Sequence, residues 1–88
     1  MLVKWKSIAL DRVADIFVAA TPADRDEIEA TTRRINVALA ADPSVLGESR
    51  SGDRRVWFEY PLMVLFRIVS ADKTVIVSHV ARLRPRPH

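Results

Sequence analysis

The chain has no cysteine, which excludes a disulfide framework and any thiolate metal site from its 88 residues. Only two histidines are present, His79 and the terminal His88, so a histidine-built metal centre is excluded too. Glycine is nearly as scarce: Gly47 and Gly52 are the only two, and both fall in one loop. No apolar run approaches the ~20 residues needed to span a bilayer. Met1 leads straight into LVKWK, with no charged segment followed by an apolar one, so no signal peptide is expected. Repeats, low-complexity tracts and linkers are absent as well. Together these absences predict a cytoplasmic domain that uses no metal and no cofactor and does not enter a membrane.

What is present is ordinary for a folded protein, with 49% hydrophobic and 28% charged residues. The length fits one domain, residues 1–88, whose small core leaves it marginally stable alone. Charge is distributed unevenly. Residues 1–48 carry 6 Lys/Arg against 8 Asp/Glu, a net −2, whereas residues 49–88 carry 8 against 3, a net +5. Arginine supplies most of that excess through Arg50, Arg54, Arg55, Arg67, Arg82, Arg84 and Arg86. Guanidinium groups suit bidentate contacts with phosphate or carboxylate, so the basic half points to nucleic acid or to an acidic protein. A plain solvated basic face is the competing explanation.

Residues 2–6 alternate apolar and basic, which predicts a half-buried strand with Val3 and Trp5 on one face. Ser7 is a suitable N-cap for a helix of about 8–20, and Val13, Ile16, Phe17 and Ala20 place one apolar stripe along it. Thr21-Pro22 caps and starts a second helix of about 20 residues. Acidic residues crowd its first turns, where the helix dipole favours them. Ile28, Thr31, Ile35, Ala38 and Leu39 form its buried stripe. Asp42-Pro43 ends it, because a residue before proline is driven out of the α region. After a loop, strands are predicted at 54–59, 63–69 and 74–82, separated by short turns. Strand 63–69 is apolar almost throughout and is expected at the sheet centre, covered on both faces. The fold class is α+β: β-α-α-β-β-β, a helix hairpin packed on a four-stranded, mainly antiparallel sheet.

That element order is carried by recognisable local features. They are the Asp42-Pro43 helix end followed by Leu46-Gly47, the Arg54-Arg55 opening of a strand, the VLFRI strand and the arginine-rich end RLRPRPH. In these the chain resembles the RelE/ParE superfamily of toxins from bacterial toxin–antitoxin pairs, over nearly its whole length. The resemblance implies a cognate antitoxin as partner in a hetero-oligomer, and either mRNA on the ribosome or DNA gyrase as target. In members that cleave mRNA, a base takes the ribose 2′-hydroxyl proton, an acid protonates the leaving oxygen, and fixed cations stabilise the phosphorane.

Carried over by position, the resemblance makes Arg55 and Arg82 candidate catalytic cations of a metal-independent nuclease. Arg67 is a further catalytic candidate, although in its otherwise apolar strand it also reads as pairing with a carboxylate or reaching the sheet edge. Arg50, Arg54, Arg55, Arg82 and Arg84 are the candidate nucleic-acid contacts. Two positions depart from the cleaving pattern. Trp57 stands where a second basic residue is common, and Met63 stands where a strand usually opens with the arginine that contacts the scissile phosphate. The tail offers no internal tyrosine or histidine. Glu59, Tyr60 and His79 are substitutes for base and acid, although each also reads as an ordinary turn or strand residue. Trp5 and Trp57 read as sheet packing. An incomplete acid–base set favours the gyrase-directed alternative or a non-toxic protein that retains only the antitoxin-binding fold.

Overall fold

The structure, a computed structural model, describes residues 1–84. Strand β1 (Leu2–Trp5) is followed by helices α1 (Ser7–Ala19) and α2 (Pro22–Ala41), then by strands β2 (Glu48–Ser49), β3 (Arg54–Glu59), β4 (Leu62–Val69) and β5 (Thr74–Arg82). Short 3-10 turns at Pro43–Val45 and Ser70–Asp72 complete the connections. The strands form one sheet in the order β1-β5-β4-β3-β2, with β1 parallel to β5 and every other pair antiparallel. The α+β class and the helix hairpin on a mainly antiparallel sheet match the expectation, but the sheet has five strands, not four. Among the described residues, no helix is long and apolar enough to cross a membrane.

Parity along each strand decides what is buried, because successive side chains point to opposite faces. Leu62, Val64 and Phe66 of β4 have 0% exposure and face the helices. Val75, Val77 and Val80 of β5 join them, with Ala9, Ile16 and Ala20 from the α1 side and Ile28, Ile35 and Leu39 from α2. α2 begins and ends where its sequence predicts. Thr21 Oγ1 accepts from the Asp24 N–H at 3.3 Å, Pro22 occupies the first helical position, and Asp42 is the C-cap. Trp5 and Trp57 pack against the core as expected, and the Trp5 indole N–H donates to Asn36 Oδ1 at 3.1 Å.

Three expectations are corrected. β2 arises inside the stretch read as loop: Gly47, at φ +66°, turns the chain so that Glu48 and Ser49 pair with Val56 and Arg55 of β3. α1 is capped by Lys6 rather than Ser7, with no side-chain cap bond. Its stripe is rotated, since Ala9 and Ile16 are buried while Phe17 is 37% exposed. Finally, β4 is central but covered on one face only. Met63, Leu65 and Val69 are half-buried and Arg67 is exposed on the opposite side, which carries no helix.

Candidate functional site

That uncovered side, hereafter the open face, is laid out in cross-strand rows by the pairing register. Phe58, Met63 and Ala81 lie side by side across β3, β4 and β5. Val56, Leu65 and His79 form the next row, with Glu48 of β2 beside Val56. The third row is Arg54, Arg67, Ile76 and Lys4, running from β3 across to β1. A fourth row, Val69, Thr74 and Leu2, lies beyond it, so one end of the face is apolar and the basic row lies between it and a second uncharged row. Phe58 is 59% exposed, a large value for an aromatic on a sheet. A β-bulge shifts the β5 register beyond Leu65 and makes Ser78 the extra residue, whose hydroxyl donates to the Leu65 carbonyl at 3.2 Å.

The predicted site arginines divide between the two faces. Arg54 and Arg67 lie opposite each other on the open face. The Arg54 Nε–H donates to the Ser51 carbonyl at 3.3 Å, and neither residue forms an ion pair among the described residues. Arg67 therefore neither pairs with a carboxylate nor reaches a sheet edge, the two roles its apolar strand suggested.

Arg55 has the opposite parity and shares a face with Phe66 and Ser49. Its guanidinium fastens the loop: Nε donates to the Leu46 carbonyl at 2.9 Å, Nη1 to Ser49 Oγ at 2.9 Å and Nη2 to the Gly47 carbonyl at 3.3 Å. With these contacts made, the side chain acts as a clamp rather than a solvated cation. Arg82 pairs with Asp24 of α2 at 3.0 Å, and Arg50 with Glu48 at 3.2 Å. Arg84 is exposed beyond β5, while Arg86 and His88 lie outside the described residues.

The substitutes for acid and base are separated in the same way. Glu59 lies on the helix side and faces Arg34 of α2 at 3.7 Å. His79 is exposed on the open face, with Nδ1 3.3 Å from Ser78 Oγ. Tyr60 is exposed in the turn after β3. Met63, at the start of the strand expected to be covered on both faces, stands half-buried on the open face next to Phe58. Sequence reasoning missed Lys4 and Phe58 as members of this surface. The alternation around Val3 and Trp5 does place Lys4 on the other face, but only the register to Ile76 brings it into line with Arg67.

A second apolar surface lies on the helix layer. Leu10, Val13, Phe17 and Val18 of α1, with Ile28 and Thr32 of α2, line a groove between the helices. Leu10 is 54% exposed and Val18 71% exposed, a large apolar area for one side of a small protein.

No protein-family model and no curated protein matches the sequence. Solved structures do match in three dimensions. A chain of the chromosomal ParDE toxin–antitoxin system from P. aeruginosa superposes with a TM-score of 0.73 at 16% identity, covering 96% of this chain and 97% of that one. A chain of the RelBE2 toxin–antitoxin complex from Mycobacterium tuberculosis also gives 0.73, at 18% identity over 92% of this chain and 95% of that one. A chain of the intact E. coli RelBE toxin–antitoxin complex gives 0.61 at 11% identity, over 96% and 98%. The helix hairpin, the sheet order and this near-complete coverage in both directions agree: the chain has the RelE/ParE toxin fold.

Proposed function

We propose that the chain is the toxin of a toxin–antitoxin pair and acts by binding its target, as a ParE-like inhibitor of DNA gyrase, rather than by cutting mRNA. The observation that carries this reading is the Phe58–Met63–Ala81 row. It occupies the end of the open face where the resemblance calls for the arginine on the scissile phosphate. A fixed cation there contributes several kcal/mol to a phosphoryl-transfer transition state, and none of these three side chains supplies charge. Arg55, Arg82 and Glu59 do not compensate: both arginines are engaged on the helix side, and Glu59 faces Arg34 there. The test is direct. Purified protein should inhibit gyrase supercoiling while leaving ribosome-bound mRNA intact; efficient ribosome-dependent cleavage would reverse the assignment and put His79, Arg54 and Arg67 forward as a displaced catalytic set.

The neighbouring structures are toxin–antitoxin systems or complexes, which supports an antitoxin as the partner here. Two features of this chain suit such a partner. The groove between α1 and α2 offers an apolar seat to an amphipathic helix. β1 pairs with only Thr74–Val77, so Ser78–Arg82 of β5 has no strand on that side among the described residues and can accept one. Co-expression with the product of the adjacent gene should give a stable hetero-oligomer with a raised melting temperature. Absence of any complex at micromolar concentration would remove the pairing.

A further inference from the structure

We infer that the open sheet face is the surface that engages the target, and that it takes an acidic, partly apolar protein surface rather than a nucleic acid. This rests on the proposed binding mode of action and extends it to a location and a chemistry. The first ground is the order of the rows. Phe58, exposed, and Met63, half-buried, form an apolar pair at one end, Val56 and Leu65 continue it, and of the four rows only that of Arg54, Arg67 and Lys4 is cationic. Phenylalanine, methionine and arginine are the residue types enriched in protein–protein contacts, with aromatic anchors at the centre and charge at the rim.

The second ground is charge complementarity. Arg54, Arg67 and Lys4 fill three of the four positions of their row, and none is ion-paired among the described residues. Unpaired guanidinium groups beside each other repel, so the row favours a partner that brings carboxylates. Phosphates satisfy cations equally well, but a nucleic-acid strand needs them along its track, and here three of the four rows supply none. The spacing makes the occupant specific. Arg54 and Phe58 are four residues apart on β3, about 13 Å at ~3.3 Å per residue. The partner should therefore present an acidic cluster about that distance from an apolar side chain.

The experiment uses the intact chain and three probes: purified gyrase holoenzyme, a single-stranded 12-nucleotide RNA, and growth of cells expressing the protein. Phe58→Ser, alone and with Met63→Ser, should weaken gyrase inhibition by about thirtyfold, as loss of an anchor does. It should also relieve growth arrest. Arg54→Ala with Arg67→Ala should weaken inhibition by about three- to tenfold, less at high salt. Melting curves confirm that the folded state is kept, and the single Phe58→Ser variant guards against a folding defect in the double one. Gyrase inhibition by the wild type that is unaffected by all four substitutions overturns the inference and leaves the mode of action standing. Growth arrest without gyrase inhibition sinks the choice of target, and the inference then stands or falls on whether Phe58→Ser relieves that arrest. RNA bound at physiological salt and released by the arginine substitutions overturns the inference in favour of nucleic acid. A wild type that is inert in cells and on gyrase overturns both.

Discussion

Phe66 and Arg67 are adjacent in the chain and lie on opposite sides of one strand, the first with 0% exposure and the second open to solvent. The two faces of the sheet share the same strands, twist and register, yet they are under different demands. The helix-facing side is filled by Leu62, Val64, Phe66, Val75 and Val77, and its arginines are consumed in holding structure together. The open side carries Phe58, Met63, Arg54 and Arg67 with few internal bonds to satisfy. Apolar residues on the first side are fully buried and stabilise the fold; the same residue types on the second side are half-buried or exposed and contribute less to it. A face that retains an exposed aromatic without a packing role is available for binding.

The comparison breaks most readily at its two phenylalanines. Phe66→Ala should cost about 3–5 kcal/mol, since it removes a fully buried ring and leaves a cavity. In a domain this small that leaves little native protein at room temperature. Phe58→Ala should stay within about 0.5 kcal/mol of the wild type, because its ring is largely in water already. Urea unfolding of both variants measures the contrast directly. Equal destabilisation would mean that the open face is covered in the isolated protein.

The neighbouring arginines sharpen the same contrast at smaller magnitude. Arg55→Ala releases the Leu46 and Gly47 carbonyls and Ser49 Oγ at once, and should cost about 1–3 kcal/mol, with faster amide exchange at Glu48 and Ser49. Lysine at this position should restore little, because a single ammonium cannot reproduce the three-way fork. Arg54→Ala should leave stability almost unchanged, since its one hydrogen bond is an exposed contact with Ser51. Gly47→Ala tests the clamp from the other side. Its new Cβ meets the Val56 carbonyl oxygen and φ is +66°, so a loss of about 1–3 kcal/mol is expected.

These pairs also explain what could be read in advance. α2 was legible because its signals are local: Thr21-Pro22 starts it, Asp42-Pro43 stops it, and Ile28, Thr31, Ile35 and Leu39 recur at helical spacing. The strands 54–59 and 74–82 were legible for the same reason. β2 was not, because two residues cannot show a period and their pairing depends on Gly47 and Arg55 acting together. The apolar run of β4 hid its open face, since Met63 and Leu65 look like core residues until the helices are placed. Arg54 and Arg55 are identical in type and adjacent, so only strand parity and register tell the surface cation from the clamp. Site reasoning from sequence named these arginines as one cluster and could not divide them between the two faces.

The helix cap gives a smaller effect. Thr21→Ala removes the acceptor for the Asp24 N–H at the start of α2 and should lower stability by about 1 kcal/mol, with Asn or Asp restoring most of it. Melting temperatures of the alanine and aspartate variants suffice to check this. A null result would show that Pro22 and the packing of Ile28 already fix the helix start.

The smallest effect is expected at Arg82 and Asp24, which join the end of β5 to the first turn of α2 at 3.0 Å. Their side chains are 35% and 45% exposed, so water competes for both charges and dissolved ions screen them. A double-mutant cycle with Arg82→Met and Asp24→Asn should give a coupling of about 0.2–1 kcal/mol, shrinking as salt rises. Arg82 was a catalytic candidate by sequence position, and this measurement decides how its engagement should be read. Weak coupling means that the guanidinium is only loosely held and can be recruited by a ligand. Coupling well above 1 kcal/mol, insensitive to salt, would place it firmly with Arg55 as a structural arginine of the covered side. If Arg82→Met instead abolishes growth arrest while the cycle shows weak coupling, the binding surface extends around the end of β5, and the boundary between the two faces must be drawn past Ala81.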